Sequence, residues 1–240
     1  MDLFTYSSLK TKLLNDLDIE DLDFIDGEEE LLGYINEAID DAESVVHTLG
    51  LDAYYFNTQS TITLVSGTSD YSLPTDIFAT KIRKMFYING ATKYEIFRVR
   101  DLDETPYFEA GDDYKYLIVT TTGTANNWRI RLYPTPAESG AYITIWYIRN
   151  ATRMTTSTAA TNICEIPDCN NFVLAHVKMR VLEKMGNPLL THAIGILQAQ
   201  RDLMTNTLME MVPDENTMVE PDVSFYEDST IVGNRLSFRG

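Results

Sequence analysis

Cysteine and histidine are scarce in this chain, with two Cys and three His among 240 residues. Cys164 and Cys169 have no matching Cys/His pair, which excludes the spacing of a zinc site and of a Cys-x-x-Cys redox motif. They are expected as buried or free thiols of a reducing compartment, with a short-loop disulfide as the other option. His47, His176 and His192 stand alone, with no second histidine at helical spacing. No metal centre is expected, and each reads as a core or surface histidine. No stretch approaches the ~18 consecutive apolar residues that cross a membrane. The opening Met1-Asp2-Leu3-Phe4 has no basic region followed by an apolar one, so no secretory leader is expected. Gly-x-Ser-x-Gly, a glycine-rich phosphate loop and His-Glu-x-x-His are all missing, so nothing indicates a nucleophile, a cofactor cradle or a catalytic metal.

Basic residues are also few. The formal net charge is -17, and it is unevenly spread. Residues 1–50 carry 14 acids against 2 bases, residues 51–150 carry 11 against 10, residues 151–212 carry 5 against 5, and residues 213–240 carry 6 against 2. Gripping DNA requires clustered Lys and Arg to displace counterions, and no such cluster exists. An acidic surface repels phosphate instead, which suits a wall that DNA slides past without sticking. Solubility alone is the other reading of the same charge.

What is present is a well-patterned globular chain. It is 44% hydrophobic, with 14 Tyr and 10 Phe, enough for one large domain or two small ones and for a packed core. Leu9, Leu13, Leu14 and Leu17 follow Ser7-Ser8 at helical spacing and predict a first helix capped by those serines. The pattern Asp21-x-Asp23-x-x-Asp26-Gly27 hints at a calcium loop, but Leu32 stands where the closing Glu belongs. It reads as an acidic linker whose Glu28, Glu29 and Glu30 suit the positive end of the next helix. Leu32, Ile35, Ile39, Ala42, Val46 and Leu49 make a continuous stripe for that second helix. Asp40, Asp41 and Glu43 fall off the stripe, toward solvent. Gly50 is its natural stop.

Beyond Leu51 the period changes to two. Ser60 to Val65 and Asp70 to Leu73 read as a hairpin across Ser66-Gly67-Thr68, ended by Pro74, which lacks an N–H. Ile82 to Ile88 turns at Asn89-Gly90 and pairs back through Tyr94 to Phe97. Val99 to Tyr107 reads as a short helix, and Tyr116 to Val119, Trp128 to Tyr133 and Ala141 to Ile148 as strands. Residues 60–150 are therefore expected to form a compact antiparallel sheet or barrel. Tyr142, Trp146, Tyr147 and Trp128 make either a sugar-binding platform or core, and core is the expectation. Pro167 opens a third helix with Phe172, Ala175, Met179 and Leu182 on its stripe. After Gly186-Asn187-Pro188 a fourth carries Leu190, Ile194, Leu197, Met204, Leu208 and Met211, interrupted by Arg201 and stopped by Pro213.

The expected fold class is α+β: a four-helix bundle with an antiparallel β-domain inserted between its two helical pairs, plus an extended C-terminal arm. The expected units are a helical pair at 1–55, the β insertion at 56–152, a helical pair at 163–212 and the arm at 213–240. Three proline motifs punctuate this plan, Tyr71-Ser72-Leu73-Pro74-Thr75-Asp76, Leu132-Tyr133-Pro134-Thr135-Pro136 and Glu165-Ile166-Pro167. Each is read as an edge where the chain leaves the sheet for a loop or returns to the bundle.

Together with the Lys/Arg-bearing strand Lys81 to Tyr87 and the strand Ile143-Thr144-Ile145-Trp146-Tyr147, these motifs resemble the head-to-tail adaptor proteins of tailed bacteriophages, in particular the larger podovirus-type adaptors. The resemblance covers roughly residues 5–210. It implies a structural, non-enzymatic virion protein at the head–tail neck, assembled in the host cytoplasm. It further implies a ring of twelve copies beneath the portal protein that completes the DNA-filled head and docks a tail or nozzle protein. Genome DNA would pass through without specific binding, and no membrane is involved.

The arm matches no motif of the family, yet Phe225, Tyr226, Ile231, Leu236 and Phe238 are spaced to thread along a neighbour or the portal and order on contact. Arg235 and Arg239 are placed to pair with acids of that partner. Two other classes fit the residues: a virion-associated cell-wall hydrolase, and a β-domain that binds glycan or protein.

Overall fold

The computed structural model describes residues 4–21, 27–99, 113–120, 128–155 and 162–211. The elements run α1 (Tyr6–Leu17), α2 (Gly27–Thr48), α3 (Asp52–Tyr55), β1 (Asn57–Thr63), β2 (Asp70–Ser72), β3 (Ile77–Asn89), β4 (Thr92–Glu95), β5 (Phe97–Arg98), β6 (Lys115–Thr120), β7 (Trp128–Tyr133), β8 (Tyr142–Arg149), α4 (Cys169–Lys184) and α5 (Leu190–Met211). The expected helix within 99–107 and the whole arm, 213–240, fall outside the described residues.

The expected four-helix bundle with an inserted β-domain is not what forms. Five helices and two four-stranded sheets make up the described structure, with a mostly β region in the middle. In a bundle each helix shares its stripe with two neighbours around a core made of helix faces alone. Here α4 is the hub: α2 and α5 pack on it and α1 touches its side. Part of the core around the helices comes from strand ends and loops, namely Phe56, Ile148, Ala151, Met154, Ile163 and Ile166. The expected stripes of the helices are largely buried, but Ile194 of the last one is exposed, and the partners of the stripes include the β region.

Local chemistry explains the helix ends. Thr5, not Ser7-Ser8, caps α1: its Oγ1 accepts from Ser8 N at 3.3 Å, satisfying one of the free N–H groups of the first turn. Asp18 closes that helix in the left-handed conformation. The first turn of α2 carries Glu28, Glu29 and Glu30, favourable at the positive end of the helix dipole. Its buried face is Leu31, Ile35, Ala38, Ile39, Ala42, Val45 and Val46, at the spacing an amphipathic helix requires.

The sheets have the orders β1-β8-β3-β4 and β2-β7-β6-β5. The hairpin expected between residues 60–65 and 70–73 does not exist. β1 pairs with β8 (Thr61↔Thr144), whereas β2 pairs with β7 (Tyr71↔Ile130), so the two segments belong to different sheets. The turn at Asn89-Gly90 does join β3 to β4, with Tyr87 opposite Tyr94. The pairing is not wholly antiparallel, since β5 runs parallel to β6. Between the sheets lies a second core of Leu64, Tyr71, Leu73, Met85, Tyr116, Ile130, Leu132, Ile143, Ile145 and Tyr147. Each fully buried aliphatic side chain there contributes about 1.5–3 kcal/mol.

Strand β8 links the two cores. Ile143, Ile145 and Tyr147 point between the sheets, while Ile148, on the opposite face, enters the helical core. The helical layer therefore covers one end of the outer face of the first sheet.

Candidate interaction surfaces

The proline motifs are braces. In Tyr71-Ser72-Leu73-Pro74-Thr75-Asp76 the ring of Tyr71 lies in the inter-sheet core. Its hydroxyl ties down the preceding turn, accepting from Val65 N at 3.0 Å and lying 2.9 Å from Thr68 O. Leu73 is buried, and Ile77 N donates to Pro74 O at 3.3 Å to close the turn. Asp76 then accepts from the Tyr147 hydroxyl at 2.8 Å, while its carbonyl accepts from Asn150 N at 2.7 Å. Burial, with that carboxylate beside it, pushes the Tyr147 phenol up to about 12. In the second motif the Tyr133–Pro134 peptide is cis.

In the third motif Ile166 is buried and Glu165 accepts both guanidinium nitrogens of Arg149, at 2.7 and 2.6 Å, plus Thr152 N at 2.8 Å. Burial raises the Glu165 carboxyl, but Arg149 and Thr152 outweigh that and hold it below its usual range. This fork fastens the end of β8 to the entry of α4. Cys164 and Cys169 flank the motif as free, buried thiols. A hydrogen bond with Cys164 and burial both push the Cys169 thiol up.

A larger polar clamp joins α2 and α3 to the sheet. Asp52, 4% exposed, receives Lys81 Nζ at 2.6 Å and Arg83 Nη2 at 2.9 Å. His47 lies 3.6 Å from Asp52 and 3.5 Å from Glu43, and stacks on Phe78 at 3.6 Å between ring centres. Glu43 is buried, against the expectation that it faces water, and accepts from Ala151 N at 3.0 Å.

The strand reaches this clamp by breaking its own ladder. Between Ile77 and Ile82 the register with β8 slips, and Ala79 and Thr80 adopt positive φ, 46° and 56°. A bulge of this kind re-aims side chains, and here Phe78, Lys81 and Arg83 are the ones that meet α2 and α3. Sequence reading missed the cluster. Its trace was the Glu43/His47 spacing of four on a helix and the alternating Lys81/Arg83 on a strand.

The remaining exposed chemistry is surface. The second sheet carries Arg131 held by Asp70 through two bonds, 2.6 and 2.8 Å. Beside Pro74 a cavity of about 380 Å³ is lined by Leu73, Pro74, Ile77, Trp128 and Asn150. Two apolar faces stand open. On the outer face of the first sheet Tyr142 and Trp146 are each 38% exposed, and Trp128 is exposed beside that cavity. All three correct the expectation of core, which only Tyr147 meets. On α5 and its entry, Leu189, Ile194, Ile196, Leu203 and Met209 are exposed. Among the described residues no cluster of His, Cys, Asp and Glu has the arrangement of a metal site, and no helix is long and apolar enough to cross a membrane.

The arm residues Phe225, Tyr226, Ile231, Arg235, Leu236, Phe238 and Arg239 lie outside the described residues. Braced loops, buried ionic clamps and uncovered apolar faces define a structural assembly protein. The chain belongs to the SU10 adaptor protein family, whose profile matches residues 4–219. It is thus a head–tail adaptor of tailed bacteriophages and a component of the virion, as its motifs had indicated. No curated protein sequence matches it.

Proposed function

We propose that this adaptor forms a ring, of twelve copies, beneath the portal protein, closes the DNA-filled head and presents the docking surface for a tail or nozzle protein. The observation that carries this is the family match, which runs through every helix and strand described. A ring is a heterologous assembly that closes when the rotation is right. It assembles in the host cytoplasm, works without catalysis, and lets the genome pass without specific contacts, in keeping with a net charge of -17.

The C-terminal arm, 213–240, binds the portal or the next copy. Phe225, Tyr226, Ile231, Leu236 and Phe238 are its apolar anchors and Arg235 and Arg239 its ionic contacts. The test is co-sedimentation with the purified portal ring of its own phage, with and without residues 213–240. Binding by the full chain, lost on truncation, is the expected result. Absence of binding by the full chain overturns the portal reading, and binding that survives truncation overturns the arm.

A further inference from the structure

We infer that the open outer face of the first sheet is a contact between copies, and that it seats the exposed flank of α5 from the neighbouring copy. Pairing across the ladder places Tyr142, Thr144 and Trp146 of β8 on one face with Thr61 of β1 and with Lys84, Phe86 and Ile88 of β3. Antiparallel sheets tolerate water on one face, but that face then reads polar. This one carries Trp, Tyr and Phe at its centre.

The protein itself shows how such a face is covered. One residue pair beyond Trp146 on the same side, Ile148 is fully buried in the helical core. The chain's own helices thus cap one end of the face, and Tyr142 and Trp146 remain exposed beyond it.

The complementary element is α5. Leu189, Ile196 and Leu203 recur every seven residues, drifting only about 20° per step around the helix, and form one ridge. Leu189 is 58% and Leu203 55% exposed, although α4 covers the adjacent stripe of Ala193, Met204 and Leu208. The next position at this spacing is Glu210, which is exposed. Opposite, the sheet face carries Lys84 and Lys93. Lys93 lies over the Phe86 ring at 4.8 Å. An aliphatic ridge ending in an acid thus meets an aromatic face edged by bases. The two faces differ and sit on different parts of the molecule, so the contact is head-to-tail, the type that builds a ring. The inference rests on the ring reading above and adds its contact.

The experiment mixes two single-cysteine variants of the full chain, Thr144→Cys and Ala199→Cys, under oxidising conditions. The native Cys164 and Cys169 are buried, and both variants keep the ridge and the aromatic residues. The mixed 144–199 disulfide is expected to exceed both like-with-like products. Adding Ile196→Asp to the helix variant should cut its yield about tenfold or more. Like-with-like products in excess, no disulfide at all, or a yield insensitive to Ile196→Asp overturns the contact. The same pair is then oxidised after portal co-sedimentation. Portal binding without the mixed disulfide overturns this contact while the adaptor ring stands. Loss of portal binding counts against the portal reading, and the free-chain disulfide then judges the contact alone.

Discussion

Replacing Asp52 tests whether the clamp between helices and sheet holds the molecule together. Asp52 is buried, yet it accepts from Lys81 at 2.6 Å and Arg83 at 2.9 Å, whose side chains are 43% and 47% exposed. Hydrogen bonds to charged groups contribute about 1.5–3 kcal/mol each. Both bases reach water in the variant, so the large penalty of a stranded buried charge does not apply to them. Asp52→Asn keeps the volume and removes the charge, and is expected to cost about 2–3 kcal/mol. For a chain of this size that lowers Tm by about 4–12 °C, at about 2–4 °C per kcal/mol.

The pH dependence is a second readout. Burial raises the Asp52 carboxyl, but Lys81 and Arg83 outweigh it and leave it below its ordinary 3.8. A carboxyl depressed in the folded state contributes stability in full above its unfolded value and loses it as pH falls through the folded one. Denaturant unfolding from pH 7 to pH 3 should therefore show the gap between wild type and Asp52→Asn closing only below about pH 4. A variant within about 0.5 kcal/mol of wild type at pH 7, the range of ordinary surface changes, refutes the reasoning.

Arg149→Met unfastens β8 from the entry of α4. It should cost about 1.5–3 kcal/mol in urea melts and remove part of the acid sensitivity that Glu165 confers below about pH 4.5. Tyr71→Phe keeps the core ring and loses only the hydroxyl that braces the 65–68 turn. A loss of about 1–2 kcal/mol is expected, with faster amide exchange at Val65. His176 is held neutral by burial, below its ordinary 6.5 despite the nearby Asp41. The unfolded chain then binds the proton better, so stability is full above pH 6.5 and declines as pH falls below it. His176→Gln should flatten the stability profile between pH 7 and pH 5.

The faces of elements were easier to read from sequence than their partners. The strand at Trp128–Tyr133 and the turn at Asn89-Gly90 stand where alternation and turn chemistry put them, because both are local properties. The false hairpin of residues 60–73 had equally good local signals. Its two strands enter different sheets because pairing is decided by long-range partners, Thr144 for Thr61 and Ile130 for Tyr71. Alternation puts Tyr142 and Trp146 on one face of β8, but does not say which face is dry. Ile143, Ile145 and Tyr147 form the denser apolar set and take the interior. Glu43 was misplaced for a related reason: on a helical wheel it borders the stripe, and the nearby His47 and the Ala151 N–H offset the cost of burying it.

Charged groups also fasten helices to the β region, and this bears on what an adaptor must do. Asp52 with Lys81 and Arg83, Glu43 with Ala151, and Glu165 with Arg149 each join a helix or its entry to β3, β8 or the segment after β8. A purely apolar junction tolerates sliding, because dispersion and burial are non-directional. Short charge-assisted bonds of fixed geometry do not. The bulge at Ala79 and Thr80, with two non-glycine residues at positive φ, delivers Lys81 and Arg83 to that junction. The strain is local, and the effect is to fasten α2 and α3 to the first sheet, and with α2 the layer of α4 and α5 packed on it. In the proposed ring every copy would present α5 to one neighbour and the sheet face to the other, so an angular error would repeat at each contact and prevent closure. Loosening the junction while leaving both faces intact, as Asp52→Asn does, should therefore yield open or heterogeneous oligomers on electron micrographs before it abolishes folding. Uniform closed rings of the Asp52→Asn protein, at a temperature well below its Tm, would show that the clamp serves stability alone.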